Sequence, residues 1–362
     1  MIPYVEIRDK YTLKTIAAVE PQECWFELSY QEIGEFEIFC TASPKNLNAL
    51  QKGRYVTLPN KRFIWVITAI KYTFTAGGAR MISATGYEAK HLLTRRCILT
   101  PKELNGDIIT EVYGLINDNI INPTITARKI EHFAIDTARP TLSETEAQAT
   151  RGNLWEFVAS LLKRHNLGSI VEFVGGALTY RVFAGEVKTH TVRFSQSLDN
   201  LLSSEYLSND AEISTHALIV STFEETEYEG ETEKKYKVDY TQEVDEGKTG
   251  IDRAEIVIES NLSTKYEDAN GNEIEITPDS ELYKSWQREE GKKALAEKKT
   301  VEEIAGEVDI ANTAYAFDDD FFIGDLVRIQ DEFFNFASDV KITKYTLKQD
   351  ANGYGEEAEY GG

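Results

Sequence analysis

The sequence predicts a mainly β fold with added helices, of the α+β class, in which two similar β-modules lie near the two ends of the chain. Residues 53–58 (Gly-Arg-Tyr-Val-Thr-Leu) are echoed 271 positions later by residues 324–329 (Gly-Asp-Leu-Val-Arg-Ile), and Phe63 is echoed by Phe334. In both segments a glycine precedes a strand, a polar connection follows, and a second strand returns. A chain with one β-module near each end can build a ring that has twice as many modules as subunits.

The match continues after a slip of two residues, because residues 71–74 (Lys-Tyr-Thr-Phe) resemble residues 344–347 (Lys-Tyr-Thr-Leu). Chance is the alternative explanation, since a glycine followed by alternating apolar residues is common in β-proteins. The spacing is nevertheless kept across two strands, which favours a duplication. It predicts that Val56 and Val327 occupy corresponding strands.

Three regions follow from the composition of the segments. They are a first β-module at 1–97, an α/β middle domain at 98–205, and a second β-module at 206–362 with a helical insertion near 278–300.

In the first region, residues 35–40 alternate between apolar and polar, as a half-buried strand does. Residues 62–72 are β-branched or aromatic on both faces, which predicts a central strand covered on each side. The N-terminal residues 1–8 have none of the three parts of a signal peptide, so we expect a first strand made in the cytoplasm.

In the middle region, apolar residues recur at helical spacing between 108 and 120. A second helix is predicted to begin after Asn153 as its N-cap and to end at Gly168. Short strands are expected near 180–183 and 190–194, followed by a short helix near 198–206.

In the last region, the polar segment 224–235 is predicted to be a mobile hairpin tip. The pair Asn270-Gly271 predicts a two-residue hairpin turn. The tripeptide Thr277-Pro278-Asp279 is predicted to open a charged helix that runs to about Lys299.

The charge is distributed unevenly. The chain of 362 residues has a net charge of −22, with 22 acids and 23 bases in residues 1–205 but 39 acids and 16 bases in residues 206–362. Phosphate binding needs lysine and arginine, so the acidic part is a poor DNA-reading surface. It would suit either simple solubility or the wall of a conduit through which nucleic acid passes without sticking.

No constellation with catalytic or metal-binding spacing is present, so the sequence predicts no catalytic, cofactor-binding or metal-binding residues and no cofactor. The five histidines are isolated in the sequence: His91, His132, His165, His190 and His216. The run Asp318-Asp319-Asp320 lacks the spaced ligands of a calcium loop and is expected to be a solvated turn. The cysteines, Cys24, Cys40 and Cys97, are expected to be unpaired thiols. No apolar run is long enough to span a bilayer.

Taken in order, the segments resemble the central tail-hub, or baseplate-hub (tail-associated), proteins of long-tailed bacteriophages and prophages. The residues that carry the resemblance are 27–30 (Glu-Leu-Ser-Tyr), 34–38 (Gly-Glu-Phe-Glu-Ile), 53–58, 86–89 (Gly-Tyr-Glu-Ala), Leu92, Leu93, Arg95, Arg96, 250–255 (Gly-Ile-Asp-Arg-Ala-Glu), 321–327 (Phe-Phe-Ile-Gly-Asp-Leu-Val) and the last strand up to Gly353. Each motif alone is weak, but their order extends over nearly the whole chain.

The resemblance implies two β-barrel-like modules related to the tail-tube fold, so that three subunits form a pseudo-six-fold ring. It implies a non-enzymatic virion protein of the tail tip, synthesised in the host cytoplasm. The implied partners are two further copies of itself, the distal tail ring protein, the tail tube and tape-measure proteins, and tail fibre or receptor-binding proteins. DNA would pass during ejection without specific binding. Since the chain ends at Gly362, receptor-binding or wall-cleaving domains are expected to be absent or on a separate protein.

Other functions stay open from the sequence. A contractile injection device built from the same parts is a close variant. A cell-wall hydrolase with a scattered active site would reveal itself by activity on peptidoglycan. A surface glycan- or receptor-binding tail module would use aromatic side chains such as Tyr228, Tyr236 or Tyr240, and a glycan screen would detect it.

Overall fold

A computed structural model of the chain describes residues 2–74, 77–138, 140–209, 213–229, 232–268, 271–298, 301–311, 313–333, 336–351 and 353–361. Within these ranges the protein is mostly β with few helices, as the sequence predicts. The α-helices are α1 (Pro44–Ala49), α2 (Ile108–Ile116), α3 (Leu154–Arg164) and α4 (Glu281–Glu297). Shorter helical turns cover Ala89–Arg95, Asn117–Ile121, Thr126–Arg128, Gln196–Leu198 and Gly250–Asp252.

The strands of the first part of the chain are β1 (Val5–Arg8), β2 (Thr15–Val19), β3 (Glu23–Ser29), β4 (Glu35–Thr41), β5 (Tyr55–Thr57), β6 (Ile64–Phe74), β7 (Arg80–Glu88) and β8 (Cys97–Ile98). Those of the middle are β9 (Lys102–Asp107), β10 (Phe133–Ile135), β11 (Glu144–Ala149), β12 (Gly152–Asn153), β13 (Gly168–Val174), β14 (Ala177–Phe183), β15 (Arg193–Ser195) and β16 (Leu201–Asn209). Those of the last part are β17 (His216–Glu229), β18 (Thr232–Asp245), β19 (Glu255–Glu259), β20 (Lys265–Glu267), β21 (Glu273–Glu275), β22 (Val301–Asp309), β23 (Leu326–Asp331), β24 (Phe336–Asp350) and β25 (Gly353–Gly361).

One large sheet passes through both ends of the chain. Its strands lie in the order β16-β22-β25-β24-β3-β4-β7-β6-β5-β1-β2, and β23 pairs with the first half of β24 and with β15. Smaller sheets, β10-β14-β13, β11-β9-β20-β21, β12-β8 and β18-β17-β19, lie outside it.

The large sheet contains the same five-strand pattern twice. The strands β3, β4, β5, β6 and β7 are consecutive in the chain and lie in the sheet order β3-β4-β7-β6-β5. The strands β16, β22, β23, β24 and β25 lie in the equivalent order β16-β22-β25-β24-β23, with β17 to β21 inserted in the chain between the first and second of them. Val56 of β5 and Val327 of β23 are therefore in corresponding strands, as the internal match predicts.

The glycine that precedes the third strand has the same role in each repeat. Gly53 has a φ of +84° and donates its N–H to the carbonyl oxygen of Ile67 at 2.7 Å. Gly324 has a φ of +92° and donates its N–H to the carbonyl oxygen of Ile342 at 2.6 Å. A positive φ is costly for residues with a side chain, so both repeats place glycine there.

A β-bulge in β6, and another in the equivalent strand β24, define which residues of the two repeats correspond. The pairing of β6 with β7 shifts register between Ile67 and Ala69, and that of β24 with β25 shifts between Ile342 and Lys344. Residues of β6 therefore correspond to residues of β24 that are 275 positions later. The sequence match of 71–74 with 344–347 was two residues out of register. It still placed the same side chains on the same face, because faces alternate with a period of two. Phe334 lies outside the described residues.

Neither repeat forms a closed barrel within the described part of the chain. Instead the repeats are joined edge to edge, because β24 pairs with β3 in antiparallel orientation. A single apolar core covers one side of the joined sheet and takes side chains from both repeats, including Phe26, Ile38, Ile82, Val327, Ile342 and Tyr345.

A second core belongs to the middle of the chain. It packs α2 and α3 against the outer side of β5 and β6 and against β13 and β14. The side chain of Asn153 caps α3 as predicted, accepting hydrogen bonds from the N–H groups of Trp155 (2.9 Å) and Glu156 (3.3 Å). The helix ends earlier than predicted, at Arg164, because Asn166 already has a φ of +55° and Gly168 begins β13.

The long connection between β16 and β22 packs on the middle domain, because β20 pairs with β9 and α4 contacts β11. The helix α4 also lies across the hairpin β17–β18, and its own residues Tyr283 and Trp286 are buried. The corresponding connection in the first repeat, from β3 to β4, is only residues 30–34. The helix α4 begins after its N-cap Ser280, a little later than predicted.

Three sequence predictions were wrong in a way that tertiary pairing explains. Residues 198–206 are mostly the strand β16 rather than a helix, because Leu201 to Tyr206 pair with β22. The polar segment that was expected to be a hairpin tip is paired strand over residues 224–229 and 232–235, since cross-strand pairs such as Glu224 with Lys237 continue the ladder, while residues 230 and 231 lie outside the described residues. In β6 the residues 69–74 are largely exposed rather than covered on each side. Local composition does not report such partners.

Some predicted features fall partly or wholly elsewhere. Residues 190–194 contain only the start of β15, at Arg193. Asn270, Gly230 and Lys299 lie outside the described residues. Gly271 has the positive φ, +83°, that the predicted turn requires. In the described part of the chain no helix is long and apolar enough to cross a bilayer.

The two equivalent glycines give a matched pair of substitutions. A Cβ at Gly324 would lie 2.3 Å from the ring of the buried Tyr30, whereas a Cβ at Gly53 meets only the flexible Lys10 side chain at 3.4 Å. Gly53→Ala should lower the free energy of unfolding by about 1–2 kcal/mol, the cost of a positive φ. Gly324→Ala should cost about 3 kcal/mol or more, since overpacking adds to the strain. Urea unfolding of the two variants measures both, and equal losses would contradict the account.

Candidate assembly interface

The residues that the sequence offered for chemistry stay apart. The histidines lie in separate elements; His91 stacks on Tyr87 with ring centroids 4.6 Å apart, and His165 Nδ1 lies 2.6 Å from the hydroxyl of Ser143. Within the described ranges no three histidine, cysteine, aspartate or glutamate side chains group as metal ligands would. Cys24 and Cys40 are buried free thiols, and burial raises their pKa values to about 12 and about 11. Cys97 is exposed and also unpaired.

The acidic run at 318–320 is a turn. Asp318 has a φ of +81°, and its carboxylate accepts a hydrogen bond from the Arg62 guanidinium at 2.6 Å. Arg62 also binds Glu172 at 2.7 Å, so the run takes part in a link to the middle domain. This agrees with the expected turn.

Two of the three tyrosines suggested for glycan binding can be assessed. The hydroxyls of Tyr236 and Tyr240 both contact the Glu225 carboxylate. The Tyr240 ring packs edge-on against Phe223, with centroids 6.0 Å apart. These rings therefore serve the hairpin β17–β18 itself. The side chain of Tyr228 lies outside the described residues.

The feature with clear physical consequences is the junction at which β24 pairs with β3. Six residue pairs join the strands, from Lys344 opposite Ser29 to Gln349 opposite Cys24. On the core side the junction is dry, since Leu28, Tyr345 and Leu347 are each no more than 2 % exposed. The Tyr345 ring stacks on Phe317 with centroids 3.6 Å apart, and its hydroxyl donates to Glu356 at 2.6 Å.

A buried ion pair holds the end of β3 in place. Glu88 accepts hydrogen bonds from the N–H groups of Gly34 (2.7 Å) and Ser29 (3.2 Å) and lies 3.1 Å from Lys90. Lys90 donates to the carbonyl oxygens of Ser29 and Ser169, so it ties the first repeat to the middle domain. Burial raises the pKa of Glu88 and lowers that of Lys90, and their mutual attraction opposes both shifts.

The other face of the joined sheet is solvated and acidic. Side chains alternate across each strand, so the pairing identifies the residues opposite the core. The carboxylates on this face are Glu23, Glu27, Glu35, Glu37, Glu205, Glu307, Asp309, Glu357 and Glu359. The basic side chains on it include Lys71, Lys341, Lys344, Lys348, Arg193 and Arg328, and Asp339 opposite Arg328 adds a further carboxylate.

Carboxylates of both repeats meet on this face. Burial raises the pKa of Glu27, the nearby Glu359, Glu88 and Glu35 add to the rise, and Lys344, 3.8 Å away, opposes it. The acidic character was expected from residues 206–362 alone. The first repeat in fact contributes four carboxylates to the face, because its strands alternate glutamate with buried apolar residues.

Besides the outer edge of β2, which pairs with β1 alone, the large sheet has open edges on β16 and on the second half of β6 in the described part of the chain. Among the described residues, positions 69–74 of β6 pair with β7 alone, and β16 pairs with β22 alone. Large apolar side chains are exposed at both edges: Tyr72 and Phe74 are 62 % and 69 % exposed, and Leu202 and Tyr206 are 50 % and 59 % exposed. Sequence analysis missed these edges, because only the pairing reveals which strand half lacks a neighbour.

Comparisons with known proteins agree with this architecture. Residues 4–361 match the family model described as Siphovirus ReqiPepy6 Gp37-like protein. Among proteins with curated functions, none matches the sequence.

Solved structures share the fold at low sequence identity. A tail protein from Neisseria meningitidis MC58 aligns with a TM-score of 0.58 and 10 % identity over 99 % of this chain and 96 % of that one. The prophage MuSo2 43 kDa tail protein from Shewanella oneidensis aligns with a TM-score of 0.55 and 11 % identity over 99 % and 98 % of the two chains. The prophage tail protein gp18 from Listeria monocytogenes EGD-e aligns with a TM-score of 0.50 and 10 % identity over 99 % and 94 %.

The buried ion pair makes a testable contribution to the junction. Lys90→Met leaves the Glu88 carboxylate buried without its cation, which should lower the free energy of unfolding by about 3–5 kcal/mol. The matched control is Lys265→Met, which breaks the exposed pair of Lys265 with Glu275 and should leave the unfolding midpoint nearly unchanged. Urea denaturation compares the two. A loss below about 1 kcal/mol for Lys90→Met would show that the pair is dispensable.

Proposed function

Since this chain belongs to the Siphovirus ReqiPepy6 Gp37-like protein family, a family of phage tail proteins, we propose that it is the structural hub of a phage or prophage tail tip, or baseplate. Three copies form a ring that caps or continues the tail tube. The ring contacts the distal tail ring protein and the tape-measure protein, and it lets DNA pass on ejection. The protein acts in the virion without catalysis.

The observation that carries the proposal is the repeated five-strand pattern. Each chain supplies two equivalent modules that are already joined edge to edge, and the edges that correspond to the joined ones, on β16 and on residues 69–74 of β6, are open. Head-to-tail contacts of this kind close into a ring when the rotation between subunits permits it. Three copies supply the six modules that would match a six-fold tube.

The two modules have tube-like roles in this proposal, and the domain division follows from it. The first module is residues 1–97, the α/β middle domain is 98–205, and the second module is 206–362 with its helical insertion. The pairing of β16 with β22 favours starting the second module near Leu201, because that strand corresponds to β3. The middle domain and the insertion then lie outside the ring wall, where tail fibre or receptor-binding proteins can attach.

The solvated acidic face of the joined sheet lines the opening. Carboxylates outnumber lysines and arginines on this face and repel the phosphates of DNA, so the nucleic acid can slide past without binding. Both modules contribute carboxylates to this lining.

A reconstruction of the assembled tail tests the proposal. We expect three copies of the chain in one ring beneath the tube, with the face that carries Glu27, Glu37 and Glu359 towards the opening. The three-copy stoichiometry follows from two modules per chain, and the orientation follows from the charge. Any other copy number, or an opening lined mainly by lysine and arginine, would refute it. Hydrolysis of peptidoglycan by the purified protein would refute the non-enzymatic role.

A further inference from the structure

We propose that neighbouring copies join through β16 of one copy and residues 69–74 of β6 of the next, as antiparallel strands, with Lys71 opposite Glu205. This inference rests on the proposed ring, and it names the strands and the register that hold the ring together. The partner is a second copy of this chain, because the chain itself contains the same junction once, between β3 and β24.

The register follows from the correspondence of the two repeats. The bulges relate β24 to β6 by 275 positions, so Thr346 corresponds to Lys71. Gly86 and Tyr360 occupy equivalent places next to those bulges, opposite Phe36 and Gly306 respectively.

The first strands of the repeats correspond in the same way. Phe26 lies opposite Phe36, and Ser204 lies opposite Gly306, so Phe26 corresponds to Ser204 and Glu27 to Glu205. Within the chain Thr346 pairs with Glu27. Between copies, therefore, Lys71 pairs with Glu205, and Thr73 pairs with Ser203.

Burial at the internal junction shows what the open edges lack. Leu28 and Leu347 are each 2 % exposed there. The residues at the equivalent positions of the open edges are Tyr206 and Tyr72, which are 59 % and 62 % exposed. Both side chains lie on the core side of their strands, so pairing would extend the core across the boundary between copies.

Charge agrees with the same register. Lys71 and Glu205 lie on the solvated face, where they would be directly opposite in the paired strands. Lysine and glutamate in opposing positions attract, whereas like charges there repel. An open edge that carries exposed tyrosine and phenylalanine would otherwise be a site of uncontrolled strand pairing.

Disulfide trapping in tails assembled in the host tests the register. The exposed Cys97 is first replaced by serine, and Lys71→Cys with Glu205→Cys are then introduced together. Directly opposed residues approach within the range that a disulfide needs, so we expect oxidation to link copies into covalent closed trimers. Each single cysteine variant, Lys71→Cys or Glu205→Cys, should give none.

Two further cysteine pairs on the same face serve as controls, one directly opposed and one diagonal. Thr73→Cys with Ser203→Cys should cross-link as well, because those positions are also opposed. Lys71→Cys with Ser203→Cys places the thiols diagonally and should cross-link far less. Stronger linking by the diagonal pair, or no linking by either opposed pair in tails that contain a three-copy ring, would overturn this inference and leave the proposed function standing. Tails that contain no such ring would overturn both.

Charge reversal gives a second readout that does not depend on thiols. Lys71→Glu places two carboxylates opposite each other, and at about 1 kcal/mol per cross-strand pair it should weaken each junction about fivefold. Glu205→Lys should do the same, and the double exchange should restore the incorporation of the chain into tails. Lys265→Glu, an exposed change in the insertion, is the control. Failure of the double exchange to restore incorporation would contradict the opposed placement of these residues.

Discussion

The pairing of β24 with β3 is the constraint on which the rest of the architecture depends. It joins strands that are more than three hundred residues apart in the chain, and it makes one sheet and one core out of two repeats. The edge of β3 is covered by β24 of the second repeat. The corresponding edge of β6, at residues 69–74, has no second neighbouring strand among the described residues. The β3–β24 pairing thus makes the sheet continuous within one chain and leaves its open edges on β16 and β6.

The two faces of that wall have opposite requirements. On the core side, apolar residues such as Phe26, Leu347 and Tyr345 must be dry for the junction to hold. On the other side, glutamates alternate with them, and burial, with a smaller contribution from neighbouring carboxylates, raises the pKa of Glu27. The alternation of a strand satisfies both requirements with one backbone, because adjacent side chains point to opposite faces. The acidic face costs little stability, since most of its carboxylates remain in contact with water.

Much of the architecture was predictable from local pattern. Gly53 and Gly324 indicated the repeat, because a positive φ favours glycine. Asn153 predicted the start of α3, because an N-cap needs a short polar side chain. The wrong predictions concern segments whose structure depends on strands that are distant in the sequence. The strand β16 resembles a helix locally and becomes a strand only through β22, and the exposed half of β6 resembles a buried strand. The candidate interface consists of these two segments, so sequence alone could not locate it.

The insertion between β16 and β22, together with the late position of β24, has a consequence for biosynthesis. A ribosome that has released the first repeat leaves the edge of β3 bare until residues 344–349 emerge, more than three hundred residues after β3. Until then the nascent chain presents Cys24, Phe26 and Leu28 without their cover. In the meantime the insertion can pack on the middle domain through the pairing of β20 with β9, which shortens the effective loop that β22 must close. Slow decoding of the codons that precede residues 344–349 would prolong the exposure of β3, and shielding by a chaperone would matter most at that stage.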